Sequence, residues 1–249
     1  MEVAQPQAEY LVTLQPTKAS ALAEFMDSRR ASSRLIHGPD ETSLYPLHAS
    51  VTGFFKATEE QAQDVCKALP ELIALAPAEG LRVEVYGALT IDDGCVILNV
   101  AAPGIKEVAE SLSSLVKSGG VLVRPKRVRH MSLAKGRSQE ERMQIAHLYR
   151  EVPLGHCPFD LVVSRLLQRS DLKQLFSSGQ THHFEDMLRV RLPEPEGVVP
   201  DVVPVPAPAP APVLAPPGDA SLESNCRPSP RLYSRTAWTL ATAALEMAA

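Results

Sequence analysis

Cysteine is scarce and widely scattered in this chain of 249 residues. The four cysteines form no CxxC pair and show no zinc-ligand spacing, which argues against a disulfide framework and against a thiolate metal site. Their scatter is typical of incidental or buried thiols in a reducing compartment. We therefore predict a cytoplasmic location and leave a nuclear one open.

Long apolar runs and an excess of basic charge are also missing. No uncharged apolar run reaches the roughly 18–20 residues that a membrane-spanning helix needs. Residues 1–9 show no basic region followed by an apolar core, so we predict neither a secretory signal nor membrane association. A formal net charge of −4 argues against a protein that coats long nucleic acids. A small phosphorylated ligand or an RNA end, held at a local basic patch, remains compatible.

Proline, in contrast, is concentrated near the C-terminal end. Ten prolines lie between positions 193 and 217, and proline cannot donate a backbone hydrogen bond to a helix or a sheet interior. We predict a folded domain at residues 1–192 and a disordered proline-rich tail at residues 193–249, ending in an alanine-rich segment able to form a short helix. Residues 198–217 are a candidate ligand for a proline-recognition domain. A plain spacer is favoured because basic flanks are lacking.

The hydrophobic pattern of the domain predicts a mixture of strands and helices. Strand-like runs occur at residues 9–15, 47–55, 81–91, 95–101, 128–135, 159–168 and 184–192. Helical spacing of apolar residues occurs at residues 18–30, 58–75, 106–117 and 138–152. Capping boxes are predicted at Thr58 with Gln61 and at Ser138 with Glu141. The sequence Asp-Asp-Gly at 92–94 predicts a hairpin turn.

The element order repeats. Residues 9–91 read strand, helix, histidine-bearing strand, helix, strand, and residues 95–168 repeat that order before one appended strand. Sequence identity between the halves is low, so we predict a divergent duplication. This mixture of hairpins and helices predicts an α+β fold in which helices cover antiparallel sheets.

Each half carries one histidine two residues before a serine. The first motif, at residues 48–52, reads His-Ala-Ser-Val-Thr, and the second, at residues 130–133, reads His-Met-Ser-Leu. Because alternate side chains of a strand share a face, we expect His48, Ser50 and Thr52 to point one way. His130 and Ser132 should likewise share a face. One such motif alone is most often structural, whereas two at matching places in similar halves favour a paired site.

Two imidazoles beside two hydroxyls suit phosphodiester cleavage. A neutral imidazole can take a proton from water or a ribose hydroxyl, and a protonated imidazole can give one to the leaving oxygen. Serine hydroxyls can donate to non-bridging phosphate oxygens. The sequence lacks the acidic cluster expected of a magnesium site. We therefore expect His48 and His130 to be catalytic without a metal or other cofactor, and the sequence leaves open which is the base and which the acid.

The motifs HASVT and HMSLA, with their flanking order of strands and helices, resemble the 2H phosphoesterase superfamily over about residues 8–192. That family includes phosphodiesterases acting on 2′,3′-cyclic ends, RNA 2′,5′-ligase-like proteins and related RNA-end enzymes. The resemblance implies a bilobal domain with two antiparallel sheets around a central groove. It also implies that His48 and His130 serve as general base and general acid and that Ser50 and Ser132 bind phosphate. Threonine is frequent in the family where this chain has serine.

Basic and aromatic residues near the motifs are further candidates for substrate binding. A basic run just before the second motif contains Arg124, Lys126, Arg127 and Arg129. Charge runs are usually solvated faces, yet Arg127 and Arg129 are placed to hold a second phosphate or an RNA backbone. Tyr45, just ahead of the first motif, can stack on a base. Phe54 or Phe55 can do the same, although core packing is an equally good interpretation for both.

The remaining histidines are interpreted as structural or solvated. His182 and His183 would point to opposite faces of a strand, so we interpret them as a surface loop before the last strand. His37, in a loop that contains Gly and Pro, can gate the groove. His147 and His156 have no partner spacing.

The function predicted from the sequence is that of a monomeric, metal-independent phosphodiesterase. Its substrate is expected to be a 2′,3′-cyclic phosphate or a 2′,5′-linked nucleotide, free or at an RNA end. One alternative is a nucleotide- or RNA-binding module that has the same fold without turnover. Another is an adaptor that acts through its proline-rich tail.

Overall fold

A computed structural model describes residues 6–91 and 94–194 of the chain. The strands are β1 (Ala8–Pro16), β2 (Ala49–Ser50), β3 (Phe55–Ala57), β4 (Val83–Ile91), β5 (Cys95–Ala101), β6 (His130–Ala134), β7 (Gly155–Cys157), β8 (Phe159–Gln168) and β9 (His183–Arg191). The helices are α1 (Ala21–His37), α2 (Glu59–Leu75), α3 (Ala78–Leu81), α4 (Pro103–Lys117), α5 (Gln139–Leu148) and α6 (Leu172–Ser178), with a 3-10 turn at Glu41–Leu44. Asp92 and Asp93 of the predicted turn, and residues 195–249 of the predicted tail with its proline-rich segment and short helix, lie outside the described residues.

Two antiparallel sheets form the frame of the domain. The first has the strand order β2-β1-β8-β9, with β3 also paired to β1, and the second has the order β6-β5-β4-β7. Helix α2 contacts β3 and β9 of the first sheet, and α5 contacts β4 and β5 of the second. The predicted α+β class with two antiparallel sheets is confirmed.

The two predicted halves exchange their last strands. β4 ends the first half yet pairs with β5 in the second sheet, and β8 ends the second half yet pairs with β1 in the first sheet. Each sheet therefore runs in the same order: histidine strand, first strand of the same half, last strand of the other half, added strand. This matching order places the two histidine strands, β2 and β6, at equivalent sheet edges.

The predicted strand 47–55 is interrupted. Only Ala49–Ser50 and Phe55–Ala57 pair with β1. Between them the N–H groups of Val51 and Thr52 both donate to the carbonyl oxygen of Val12, at 3.0 and 3.2 Å. Two residues opposite one partner form a bulge, which ends the strict alternation of side chains after Ser50.

Helix α1 continues well past the predicted end at residue 30. Apolar spacing stops near Met26, but the partly buried side chain of Arg30 donates to two backbone carbonyls beyond the helix. The helix then ends at Gly38, whose φ of 73° lies in the left-handed region and whose N–H donates to the carbonyl of Arg34. His37 is consequently the last helical residue and does not belong to a loop.

Short elements were not predicted. Strand β7, helix α6 and the 3-10 turn span three, seven and four residues, too few for a hydrophobic period to stand out. The capping boxes of α2 and α5 are confirmed, because Thr58 and Ser138 each exchange hydrogen bonds with the residue three positions later. Within the described residues, no helix combines the length and apolarity that a bilayer crossing requires.

Candidate functional site

A groove of about 340 Å³ lies where the edge strands β2 and β6 contact each other. Both histidine–serine motifs line it, so the structure brings together the two parts that the sequence placed in separate halves. The site residues predicted from the sequence that line the groove are Tyr45, His48, Ser50, Arg127, Arg129, His130 and Ser132. A volume of this size accommodates a small ligand.

The tautomer of His48 is set by the backbone ahead of it. Its Nδ1 lies 2.9 Å from the carbonyl oxygen of Pro46. Because a carbonyl can only accept, Nδ1 carries the proton and Nε2 keeps its lone pair in the neutral ring. The Ser50 hydroxyl lies 3.3 Å from that Nε2 and can donate to it. His48 is thereby oriented as a proton acceptor on the groove side.

The pKa of His48 is lowered below its ordinary value, chiefly by burial of the ring. The hydrogen bond to Pro46 opposes this shift, and the positive charges of Lys126 and Arg30 add to it. Burial and neighbouring cations both penalise the imidazolium form. His48 is therefore neutral at pH 7, which is the state that a general base requires.

The loop that supplies the Pro46 carbonyl is held by helix α1. Arg30 donates through Nη2 to the carbonyl oxygens of Thr42 and Tyr45, directly before Pro46. Burial lowers the pKa of Arg30 to about 10, and the group remains charged at neutral pH. The position of His48 thus depends on a cation in the first helix, outside the motif.

The second motif has the alternation that the sequence predicts. His130 and Ser132 are exposed on one face of β6, while Met131 and Leu133 are buried on the other. Strand β6 pairs with β5, with His130 opposite Asn99. The carbonyl of Leu133 accepts from the Thr42 hydroxyl at 3.3 Å, which links this strand to the loop ahead of the first motif.

An aromatic wall continues from His48 along the first sheet. The Tyr45 ring lies 5.8 Å from the imidazole of His48, measured between centroids, and lines the groove. Burial raises the pKa of Tyr45, so its hydroxyl stays protonated. Phe54 also lines the groove and stacks on Phe184 at 6.4 Å. Phe55 packs in the core with 3% exposure, so it is not a stacking residue.

The basic run before β6 is attached to the first motif by backbone hydrogen bonds. Lys126 donates to the carbonyl of Val51 at 2.8 Å, and Gly53 donates to the carbonyl of Arg124 at 2.9 Å. These bonds bring Lys126, Arg127 and Arg129 to the groove, whereas Arg124 does not line it. Three cations of this basic run therefore line the same groove as the first histidine.

The prediction that Thr52 faces the groove is wrong. Its side chain is fully buried, and its Oγ1 accepts from the N–H of Val12 at 3.1 Å. The bulge after Ser50 turns Thr52 away from the face that His48 and Ser50 share. The hydroxyl thus completes the hydrogen bonding of β1 and is not available to a ligand.

The interpretation of His182 as a surface-loop residue is also wrong. It is 7% exposed, its Nδ1 accepts from the N–H of Ser170 at 2.9 Å, and its ring packs edge-on against Tyr45 at 4.6 Å. Burial, with a contribution from Arg169, lowers the pKa of His182, so it is a neutral structural residue. His183 is exposed at the start of β9. His37 does not line the groove, so it does not gate it.

Several groove residues were missed by sequence reasoning. Lys135 and Glu41 line the groove and form an ion pair at 3.0 Å, and Pro46 supplies the carbonyl for His48. Lys135 lies five residues after the second histidine and could have been found by extending the motif. The role of Pro46 is a backbone contact and leaves no compositional signal.

Within residues 6–91 and 94–194, no group of three or more His, Cys, Asp or Glu residues is arranged to hold a metal ion. No protein-family model matches the sequence, and no match was found among curated proteins.

Proposed function

We propose that this protein is a phosphodiesterase of the 2H phosphoesterase type. Its reaction is cleavage of a 2′,3′-cyclic phosphate or of a 2′,5′-linked nucleotide. The observation that supports this most is the meeting of both histidine–serine motifs on one groove, at equivalent edges of two sheets with matching strand order. Two proton-transfer groups facing one site are what this reaction needs.

His48 is the general base in this proposal. Its Nδ1–H donates to the carbonyl oxygen of Pro46, which leaves the lone pair on Nε2, on the groove side. Its lowered pKa keeps the imidazole neutral. It takes a proton from the attacking water through Nε2. His130, exposed on the facing strand, then gives a proton to the leaving ribose oxygen.

Phosphate is held by hydroxyls and cations that line the groove. On substrate binding, Ser50 exchanges its hydrogen bond to Nε2 of His48 for one to a non-bridging oxygen, which leaves Nε2 to the water. Ser132 donates to the non-bridging oxygens as well, where negative charge increases in the transition state. Lys126 and Arg129 neutralise the phosphate from the side of the second sheet. Tyr45 provides a ring for a base. The proposed mechanism uses no metal ion. We further propose that the protein is cytoplasmic and monomeric.

The test uses the full chain with a 2′,3′-cyclic mononucleotide and a 2′,5′-linked dinucleotide. We expect a bell-shaped dependence of kcat/KM on pH, activity that persists in EDTA, and a loss of about 100-fold or more in His48→Ala and in His130→Ala. His147→Ala, at an exposed helical position away from the groove, is the matched control. Full activity of either motif variant would contradict the mechanism. Binding of the nucleotide without any product would favour the binding-module alternative instead.

A further inference from the structure

A second groove, of about 770 Å³, lies on the open face of the second sheet. Arg127 and Arg129 line this groove as well as the first one. The chain segment that carries them therefore forms a shared wall between the two. A ligand that occupies the first groove can continue past these two arginines onto the sheet face.

The sheet face itself carries side chains that suit a nucleic acid strand. The second groove is lined from the central strands by Glu84, Tyr86 and Asn99. Their chain neighbours Val85 and Leu98 are buried on the other face of the sheet. Tyr86 is 57% exposed, and its hydroxyl donates to the Glu84 carboxylate. An exposed aromatic ring on an open antiparallel sheet is a stacking surface for an unpaired base.

Charged side chains of both signs line this groove. Arg82 lines the groove with a buried Nε that has no hydrogen-bond partner among the described residues, so one of its N–H donors is unused. Lys106 of α4 also lines the groove, is half exposed and forms an ion pair with Glu110 at 3.2 Å. Carboxylates are also present on the lining, from Glu79, Glu84 and Glu107. The lining therefore carries four cations and three carboxylates.

We propose that this face binds the single-stranded RNA that precedes the cleaved end, so the substrate is an oligonucleotide and not a free nucleotide. The inference rests on the proposed function, because a 2′,3′-cyclic phosphate or a 2′,5′ linkage requires ribose and the strand leading to it is then RNA. The terminal nucleotide occupies the first groove. The preceding phosphate passes Arg127 and Arg129, and a base further back stacks on Tyr86.

The experiment compares a fluorescein-labelled pentauridylate that ends in a 2′,3′-cyclic phosphate with uridine 2′,3′-cyclic phosphate, using the full chain. We expect kcat/KM to be at least about tenfold higher for the pentanucleotide. Tyr86→Ala should reduce this preference, and the anisotropy-measured affinity for the pentanucleotide, by about tenfold, whereas Tyr86→Phe should retain both because the ring is kept. Lys106→Ala should reduce the dependence of log Kd on log salt concentration by about 0.7. Lys117→Ala, exposed near the end of the same helix, should not.

Equal kcat/KM values for both substrates, unchanged by Tyr86→Ala, would overturn this inference while leaving the phosphodiesterase proposal standing. If neither substrate is hydrolysed, the proposed function is refuted. The anisotropy measurements then test separately whether the sheet face binds RNA. If Tyr86→Ala weakens binding of the pentanucleotide and Tyr86→Phe does not, RNA recognition by the sheet face stands. If both variants bind like the unmodified chain, it falls.

Discussion

Asp40 and Arg137 form a buried ion pair between the segment after α1 and the turn after β6. Nε of Arg137 lies 3.2 Å from Oδ2 of Asp40, and both side chains are about nine-tenths buried. The other guanidinium nitrogens donate to the carbonyls of His37 and Gly38 at 2.7 and 2.6 Å. The same carboxylate oxygen accepts from the N–H of Lys135 at the end of β6. The end of α1, ahead of the first motif, is thus attached to the turn that follows the second.

Arg137→Ala should lower the free energy of unfolding by about 3–5 kcal/mol, because it leaves the Asp40 carboxylate buried without its cation. Urea denaturation followed by circular dichroism measures the change. Lys67→Ala removes a cation from an exposed i,i+3 pair with Asp64 and should cost less than about 1 kcal/mol. Equal losses in the two variants would contradict a structural role for the buried pair.

Thr52→Val should lower stability and retain kcat, whereas Ser50→Ala should lower kcat and retain stability. Thr52→Val leaves the buried N–H of Val12 without its acceptor, so stability should fall by about 1–3 kcal/mol while kcat is retained. Ser50→Ala removes a groove hydroxyl, so kcat should fall by about 100-fold or more with little change in Tm. Thermal melts and steady-state kinetics on both variants make the comparison. A large loss of kcat in Thr52→Val would restore Thr52 to the site.

Lys126→Ala should move the acidic limb of the kcat/KM profile to higher pH. The positive charge of Lys126 lowers the pKa of His48, so its removal lets the imidazole keep its proton to a higher pH. Because the neutral form is the base, activity then begins at a higher pH. Lys135→Ala also removes a cation from the groove lining but should leave the limb in place. An unchanged limb in Lys126→Ala would argue against His48 as the base.

His182→Leu should weaken both stability and substrate binding. The change removes the acceptor for the buried N–H of Ser170, at a cost of about 1–3 kcal/mol, and the edge-on support of Tyr45. We expect KM to rise more than kcat falls, since the proton-transfer groups are untouched. His183→Leu, at the exposed neighbouring position, is the control and should leave both quantities unchanged. A fall in kcat at constant KM would show that His182 acts on the chemistry.

Local patterns in the sequence were sufficient for much of the fold. The capping box at Thr58 and the alternation of β6 around His130 and Ser132 depend only on neighbouring residues, and both are confirmed. The convergence of the two histidine–serine motifs on one groove could also be predicted from the sequence, because the two halves have the same order of strands and helices. These features are encoded within one element or within the spacing of a few.

Other features depend on residues that are distant in the chain. The bulge that buries Thr52 forms against Val12, and the burial of His182 requires Ser170 and Tyr45. The carbonyl that fixes the tautomer of His48 belongs to a loop positioned by Arg30. No hydrophobic period or short motif reports such contacts, since they arise only when the sheets assemble.

The exchange of last strands between the sheets has a consequence for folding. β1 is synthesised before its neighbour β8, which lies more than a hundred residues later in the chain. Pairings of such long range slow folding and leave strand edges open until the later partner is available. A fragment that ends before Phe159 would hold both motifs but would expose one edge of β1. The native domain should therefore form only when both halves are present together, and neither half should reach this fold alone.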